Sequence, residues 1–202
     1  MALWREDRAL VLASRSAPRR AMLEAASIPI DVRVPDLDER TVEASAGVHD
    51  PIAVAALLAR EKAKTGTQRE PGRLVVGADQ TLALGNRRFD KPRDRAAARD
   101  QLMVLAGSTH QLHSAVALAR DGQVLFEATD TASLTMRNLS ESFLESYLDA
   151  AGGAVLESVG AYQLEKLGVH LFDRVVGDHF TILGLPLLKL LDFLRQTGSL
   201  AK

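Results

Sequence analysis

The apolar pattern changes character half-way along this chain, and that change restricts its fold more than any other feature. In the first half, short buried-strand runs alternate with helical stretches. Ala9-Leu10-Val11-Leu12-Ala13 ends in a polar turn, Pro18 sits in a helical first turn, and Arg19 to Ala26 holds helix formers until Ile28-Pro29 stops them. Ile30 to Val34 alternates as a half-buried strand does. Asp50 caps and Pro51 opens a second helix, which runs through Leu57, Leu58, Glu61 and Lys62 to Gly66. Leu74 to Asp79 then reads as a buried strand with a carboxylate at its C-terminal end, a position that lines crevices in open α/β sheets. After the Gly85-Asn86 turn and a helix from Arg93 to Leu105 the pattern becomes a hairpin. Two strands, His113 to Arg120 and Val124 to Thr135, meet at Asp121-Gly122. Early alternation followed by a hairpin argues for an α/β fold with a mixed twisted sheet and flanking helices, not a purely parallel sheet.

The other segments are read more simply. Pro35 to Asp50 is polar and acidic and is expected to be an exposed loop. Ser140 caps a helix from Glu141 to Ala150, ended by Gly152-Gly153. A strand around His170 to Val176, a Gly177-Asp178 turn, a strand Thr181 to Leu183 and a Leu-rich helix after Gly184-Leu185-Pro186 complete the chain. There is no repeat and no linker, and 202 residues with 47% hydrophobic side chains suit a single domain over 1–202.

Composition removes several function classes. Lys and Arg number 25 against 26 Asp and Glu, so no global field recruits nucleic acid or an anionic membrane, and any phosphate binding has to be local. The absence of cysteine removes disulfides, thiolate metal sites and cysteine nucleophiles. Met1 to Arg8 carries charge on both sides of Trp4, unlike a signal peptide, and no segment approaches the roughly 20 apolar residues of a membrane span. A cytoplasmic location is expected. The chain has no phosphate-loop or dinucleotide fingerprint and no nucleophile elbow. His110 and His113 enter a strand three residues apart, facing opposite sides, which argues against a zinc site.

Three groups of residues could carry chemistry. Ser14-Arg15-Ser16-Ala17-Pro18-Arg19-Arg20 lies where a strand gives way to a helix, so free N–H groups, hydroxyls and guanidinium groups could together hold phosphate oxygens. The same residues also describe an ordinary serine-capped helix. Asp36, Asp38, Glu39 and Asp79 could hold a hard cation such as magnesium, which takes oxygen ligands and bridges to phosphates. The run Asp36 to Glu39 equally fits a solvated acidic loop, whereas Asp79 has apolar neighbours and requires a partner: a metal, a lysine or a backbone cap. Lys62 and Lys91 could neutralise charge developing on a leaving group, or lie on the surface.

Taken in order, the blocks Leu-Ala-Ser-Arg-Ser-Ala-Pro-Arg-Arg, Asp38-Glu39, Ala59-Arg60-Glu61-Lys62-Ala63, Val76-Gly77-Ala78-Asp79, Lys91-Pro92, Leu105 to His110, Gly160-Ala161-Tyr162 and Gly184-Leu185-Pro186-Leu187 resemble the Maf family. The resemblance covers Leu10 to Leu194. It implies a Maf/inosine triphosphatase-like fold, two lobes around a central cleft, and a homodimer. It further implies an enzyme that cuts nucleoside triphosphates between the α- and β-phosphates and releases pyrophosphate, with magnesium or manganese as cofactor. By matching position, Ser14, Ser16 and Arg19 hold phosphate, Lys62 and Lys91 neutralise charge, Asp79 is the general base, and Glu39 with Asp79 places the metal. Gln80 with Glu165 resembles the branch acting on 7-methyl-GTP; the branch acting on dTTP and UTP carries Thr and Gln there, and Pro18 matches neither at the third selective position. Glu157-Ser158-Val159 also lacks a lysine common in the dTTP branch. Because Maf proteins are also linked to septum formation, a non-catalytic regulator of division is the alternative of a different class.

Overall fold

A computed structural model of the chain describes residues 3–202. Seven strands build one sheet: β1 (Leu10–Leu12), β2 (Ile30–Val32), β3 (Val75–Leu84), β4 (Arg87–Phe89), β5 (Thr109–Arg120), β6 (Gln123–Met136) and β7 (Phe172–Val176). Their order is β2-β1-β3-β5-β6-β7, with β4 paired to the far end of β3. β1 runs parallel to β2 and β3 while every other pairing is antiparallel, so the sheet is mixed as the sequence pattern requires. The long β5–β6 hairpin turns at Asp121 (φ 51) and Gly122 (φ 80), two consecutive left-handed residues that match the twist of the strands they join.

The helices are α1 (Ala17–Ala25), α2 (Glu39–Ala46), α3 (Pro51–Thr67), α4 (Arg95–Leu105), α5 (Glu141–Ala151), α6 (His179–Ile182) and α7 (Leu187–Gln196). Their starts follow local chemistry: the side chains of Ser16, Asp50, Asp94 and Ser140 each accept an N–H from the first turn of the helix they precede. α3 lies against one face of the sheet, where Ala55, Ala59 and Ala63 meet Ala115, Ala117 and Ala119. Small residues on both sides let the backbones come close. At Gly77 they come closer than any side chain permits: a Cβ there would stand 2.5 Å from the Ala63 nitrogen and collide with the Ala59 carbonyl oxygen.

The opposite face carries two separate apolar clusters. Leu10, Leu12, Met22, Leu23, Val116, Leu118, Leu190 and Leu194 bind α1 and α7 to one half of the sheet. Leu82, Leu102, Leu105, Leu134, Leu144 and Leu148 bind α4 and α5 to the other. Between the two clusters lies a cleft of about 1440 Å³.

Three sequence expectations change. The segment expected as an exposed loop, Pro35 to Asp50, contains α2, because Asp38 accepts the N–H groups of Arg40 and Thr41 and Gly47 (φ 62) ends the helix in the left-handed region. Thr181 to Leu183 is not a strand. Its β-branched residues sit in α6, where Asp178 accepts from the N–H groups of Phe180 and Thr181, and that cap overrides β propensity. Asp79 is not at the end of its strand but in the middle of a ten-residue β3, although the parallel pairing with β1 stops at Val76, three residues before it.

Candidate active site

Part of one edge of β3 has no strand beside it, and the cleft opens there. β5 occupies one edge along the whole run from Val75 to Ala83. On the other edge, β1 pairs with Val75 and Val76 and β4 with Leu82 to Leu84, so among the described residues no strand faces 77–81. Arg19, on the first turn of α1, takes up part of the vacancy. Its Nη1 donates to the Ala78 carbonyl at 2.7 Å and to Ser14 Oγ at 3.2 Å, and its Nε donates to the Gly184 carbonyl at 2.8 Å. One guanidinium thus ties α1 to the sheet and to the segment entering α7, as its fork of fixed donors allows. Ser14 Oγ also accepts the Ser16 N–H at 3.2 Å, and Ser16 Oγ accepts that of Arg19 at 3.4 Å, which closes the β1–α1 turn around two hydroxyls.

Strand alternation then sorts the side chains. Gly77, Asp79 and Thr81 share the face that meets α3. Lys62 Nζ donates to Asp79 Oδ1 at 2.6 Å and stands 2.9 Å from Glu39 Oε1, so one ammonium is gripped by two carboxylates from different elements. Thr81 Oγ1 donates to the Pro51 carbonyl at 2.9 Å and fixes the start of α3. Gln80 points to the opposite face, where its Nε2 donates to Ser114 Oγ and to the carbonyls of Thr181 and Ile182 at 2.9–3.1 Å. Its amide nitrogen is therefore spent on docking α6 against the sheet.

Burial decides the electrostatics. Asp79 is 9% exposed, and burial raises its pKa from the ordinary carboxylate value; the charges of Lys62 and Arg19 oppose that rise, while Glu39 adds to it. Burial likewise lowers Arg19, against the pull of Asp79 and Glu39. The enclosed carboxylate is held as an acceptor whose proton affinity exceeds that of an aspartate in water.

Among the described residues no three carboxylate or imidazole groups gather into a closed cage for a metal. Asp79 and Glu39 nevertheless converge on one cationic atom, the Lys62 ammonium, which marks where a positive ion is stabilised between them. Two carboxylates with open positions suit a hard divalent ion that completes its shell with water and phosphate oxygens.

The site residues expected from sequence fall into two sets. Ser14, Ser16, Arg19, Glu39, Lys62 and Asp79 form the contacts above. Pro18, Gln80, Lys91 and Glu165 line the same cleft without joining that cluster, Lys91 and Glu165 being exposed at its walls. His110 and His113 face opposite sides of β5 as expected: His110 Nε2 lies 2.7 Å from the Tyr162 hydroxyl, His113 Nδ1 2.9 Å from Thr131 Oγ1. Burial lowers the pKa of His110 to about 4, which keeps it neutral in a fully enclosed position.

A family model described as Maf-like protein matches residues 9–197. The chain belongs to the Maf family. Maf relatives match from end to end. Proteins named nucleoside triphosphate pyrophosphatase from Rhodopseudomonas palustris strain BisB18 and from Bradyrhizobium diazoefficiens are each 54% identical over 201 residues, covering 100% of both chains. One of the same name from Paramagnetospirillum magneticum is 54% identical over 192 residues, 94% of this chain and 99% of that one. Among solved structures, a HAM1 protein from Coxiella burnetii aligns over 63% of this chain and 72% of its own with a TM-score of 0.41 and 18% identity.

Within this Maf chain, sequence reasoning missed several residues that shape the cleft. The Gly184 carbonyl that anchors Arg19 acts through backbone, which sequence does not display. The pair formed by Arg88 and Glu43, 2.6 Å apart on the cleft wall, joins two segments 45 positions apart. No local pattern pointed to it.

Proposed function

We propose that the chain is a nucleoside triphosphate pyrophosphatase that hydrolyses the α–β phosphate bond and releases pyrophosphate. The observation that carries this reading is one buried carboxylate, Asp79, with raised proton affinity, set among Lys62, Arg19 and the hydroxyls of a helix N-terminus in a single cleft. A protein that only binds nucleotides has no use for an enclosed base.

The chemistry follows from the placement. The Ala17 N–H at the start of α1, with the hydroxyls of Ser14 and Ser16, receives phosphate oxygens, and Arg19 faces them with its charge. Asp79 takes the proton of a water molecule whose oxygen bonds to the α-phosphorus, the bridging bond to the β-phosphate breaks, and the proton passes to solvent. Lys62 and Lys91 offset the negative charge that moves onto the departing pyrophosphate. Inside the cleft Lys62 and Arg19 are already balanced by Asp79 and Glu39, so a polyphosphate needs positive charge from elsewhere. Glu39 and Asp79 would hold magnesium or manganese there, and the bound ion would supply that charge.

Gln80 and Glu165 favour 7-methyl-GTP over dTTP and UTP, on the strength of the branch resemblance. The test is pyrophosphate release from 7-methyl-GTP, dTTP, UTP and 5-methyl-UTP with magnesium or manganese present. Asp79→Asn should lower kcat at least about 100-fold. Binding without release from any nucleotide would refute the enzyme reading and favour the regulator; full turnover by Asp79→Asn would refute the base.

A further inference from the structure

α2 is the helix least anchored by burial, yet it carries one of the two carboxylates of the site. None of its eight residues is buried, and only Val42 and Glu43 are half-buried. A helix this short is marginal in water unless something outside it holds it. Two ion pairs do so. Glu39 reaches Lys62 on α3 at 2.9 Å, and Glu43 reaches Arg88 on β4 at 2.6 Å. Four residues apart, Glu39 and Glu43 project from one face of α2, so the pairs form a two-point clasp one turn long.

The two points are not equivalent. Lys62 also donates to Asp79 and faces the place where the phosphates are proposed to lie, so its hold on Glu39 competes with the work of the site. Arg88, on the cleft wall, makes its one side-chain hydrogen bond among the described residues to Glu43. Its other charged neighbour is Asp90, whose Oδ1 lies 4.0 Å from Nε, next to Lys91. The Arg88 side chain is 29% exposed and that of Glu43 23%, which places the pair partly out of solvent screening.

We propose that Arg88 is a positioning residue: through Glu43 it clamps α2 to β4 and thereby keeps Glu39 facing into the cleft. This rests on reading Glu39 as the carboxylate that places a divalent ion. The clamp itself is a mechanical claim and can be tested without turnover.

Amide hydrogen exchange over residues 39–46 should quicken about 5-fold in Arg88→Ala and in Glu43→Gln, the size of one partly exposed ion pair, and the double variant should be no faster than either single one. Arg88→Lys, which keeps the charge but not the fork, should fall between. In the same single variants the manganese concentration giving half-maximal pyrophosphate release should rise about 5-fold with kcat at saturating manganese changed less than about twofold. Exchange over α2 that is unchanged in both variants overturns the proposal. So does a loss of kcat confined to Arg88→Ala with Glu43→Gln silent, because that places Arg88 against the substrate itself. If wild-type protein releases no pyrophosphate, the proposed function fails, while the exchange rates still decide whether the clamp exists.

Discussion

Gly77→Ala should damage the site from a position that touches none of its polar groups. The added methyl would lie 2.5 Å from the Ala63 nitrogen and 3.1 Å from the Ala63 Cα, and would overlap the Ala59 carbonyl. These are backbone atoms of α3 and no rotamer change relieves the overlap, so the helix has to withdraw by roughly 1 Å to restore ordinary contact. Lys62 rides on that stretch of α3, between the two alanines, and its 2.6 Å bond to Asp79 lengthens or bends with it. Overpacking of this kind costs about 1–3 kcal/mol. For a chain of this size that lowers Tm by roughly 2–12 °C. A displacement of about 1 Å in a catalytic group costs on the order of 100-fold in rate, so the loss of kcat/KM should far outrun the loss of stability. The control is Gly72→Ala. Gly72 has φ +71 and open space around a hypothetical Cβ, so alanine there meets only backbone strain, about 1 kcal/mol, with no path to Lys62. Thermal melts and pyrophosphate release on both variants read the two effects separately. Native kcat/KM in folded Gly77→Ala would refute the claim that the approach of α3 sets the geometry of the site, and equal activity losses in the two variants would reduce it to general instability.

Three further outcomes rest on the same contacts. As the proposed base, Asp79 has to be ionised to accept a proton, and burial raises its pKa, so kcat/KM should fall on acidification through a pH above the usual aspartate value of about 3.9. A raised folded-state pKa favours the folded form while the group is protonated and loses that advantage as pH rises, so Asp79→Asn should melt no lower than wild type at neutral pH; a clear drop in Tm would show that the Lys62 contact outweighs the burial. Arg19→Lys should raise KM about tenfold and lower Tm, because one ammonium cannot serve both the Ala78 and Gly184 carbonyls and leaves at least one unpaired. An unchanged melt would mean that water entering the cleft replaces the lost donor.

What could be read from the sequence was local. Ser16, Asp50 with Pro51, Ser140 and Asp121-Gly122 each act on their nearest neighbours in the chain, and every one of those elements was placed close to where it lies. α2 was not legible because its residues carry no apolar stripe; its stability is exported to Lys62 and Arg88, distant in sequence. α6 was misread because Thr181 and Ile182 look like strand residues, and a single capping aspartate decides the matter. Asp79 stood out because a carboxylate in an apolar run has to be paired, and the partner proved to be a lysine. Which lysine, and that the same lysine also meets Glu39, depended on how closely α3 can lie on β3, a distance set by one missing side chain at Gly77.

The position of Asp79 also explains how the proposed base is buried without being sealed. Inside a continuous sheet its strand would be flanked on both edges, and the side chain would be shut between sheet and helix with no route for water. The interruption between β1 and β4 leaves residues 77–81 with one bare edge, and the cleft reaches Asp79 through it. A bare edge exposes carbonyls that need donors. Arg19 supplies one at Ala78, so the residue that satisfies the gap in the sheet also donates to Ser14 in the proposed phosphate turn. Backbone satisfaction and charge placement are therefore one requirement at this point of the fold, and it is the gap between the parallel β1 pairing and the antiparallel β4 pairing on one edge of β3 that creates it.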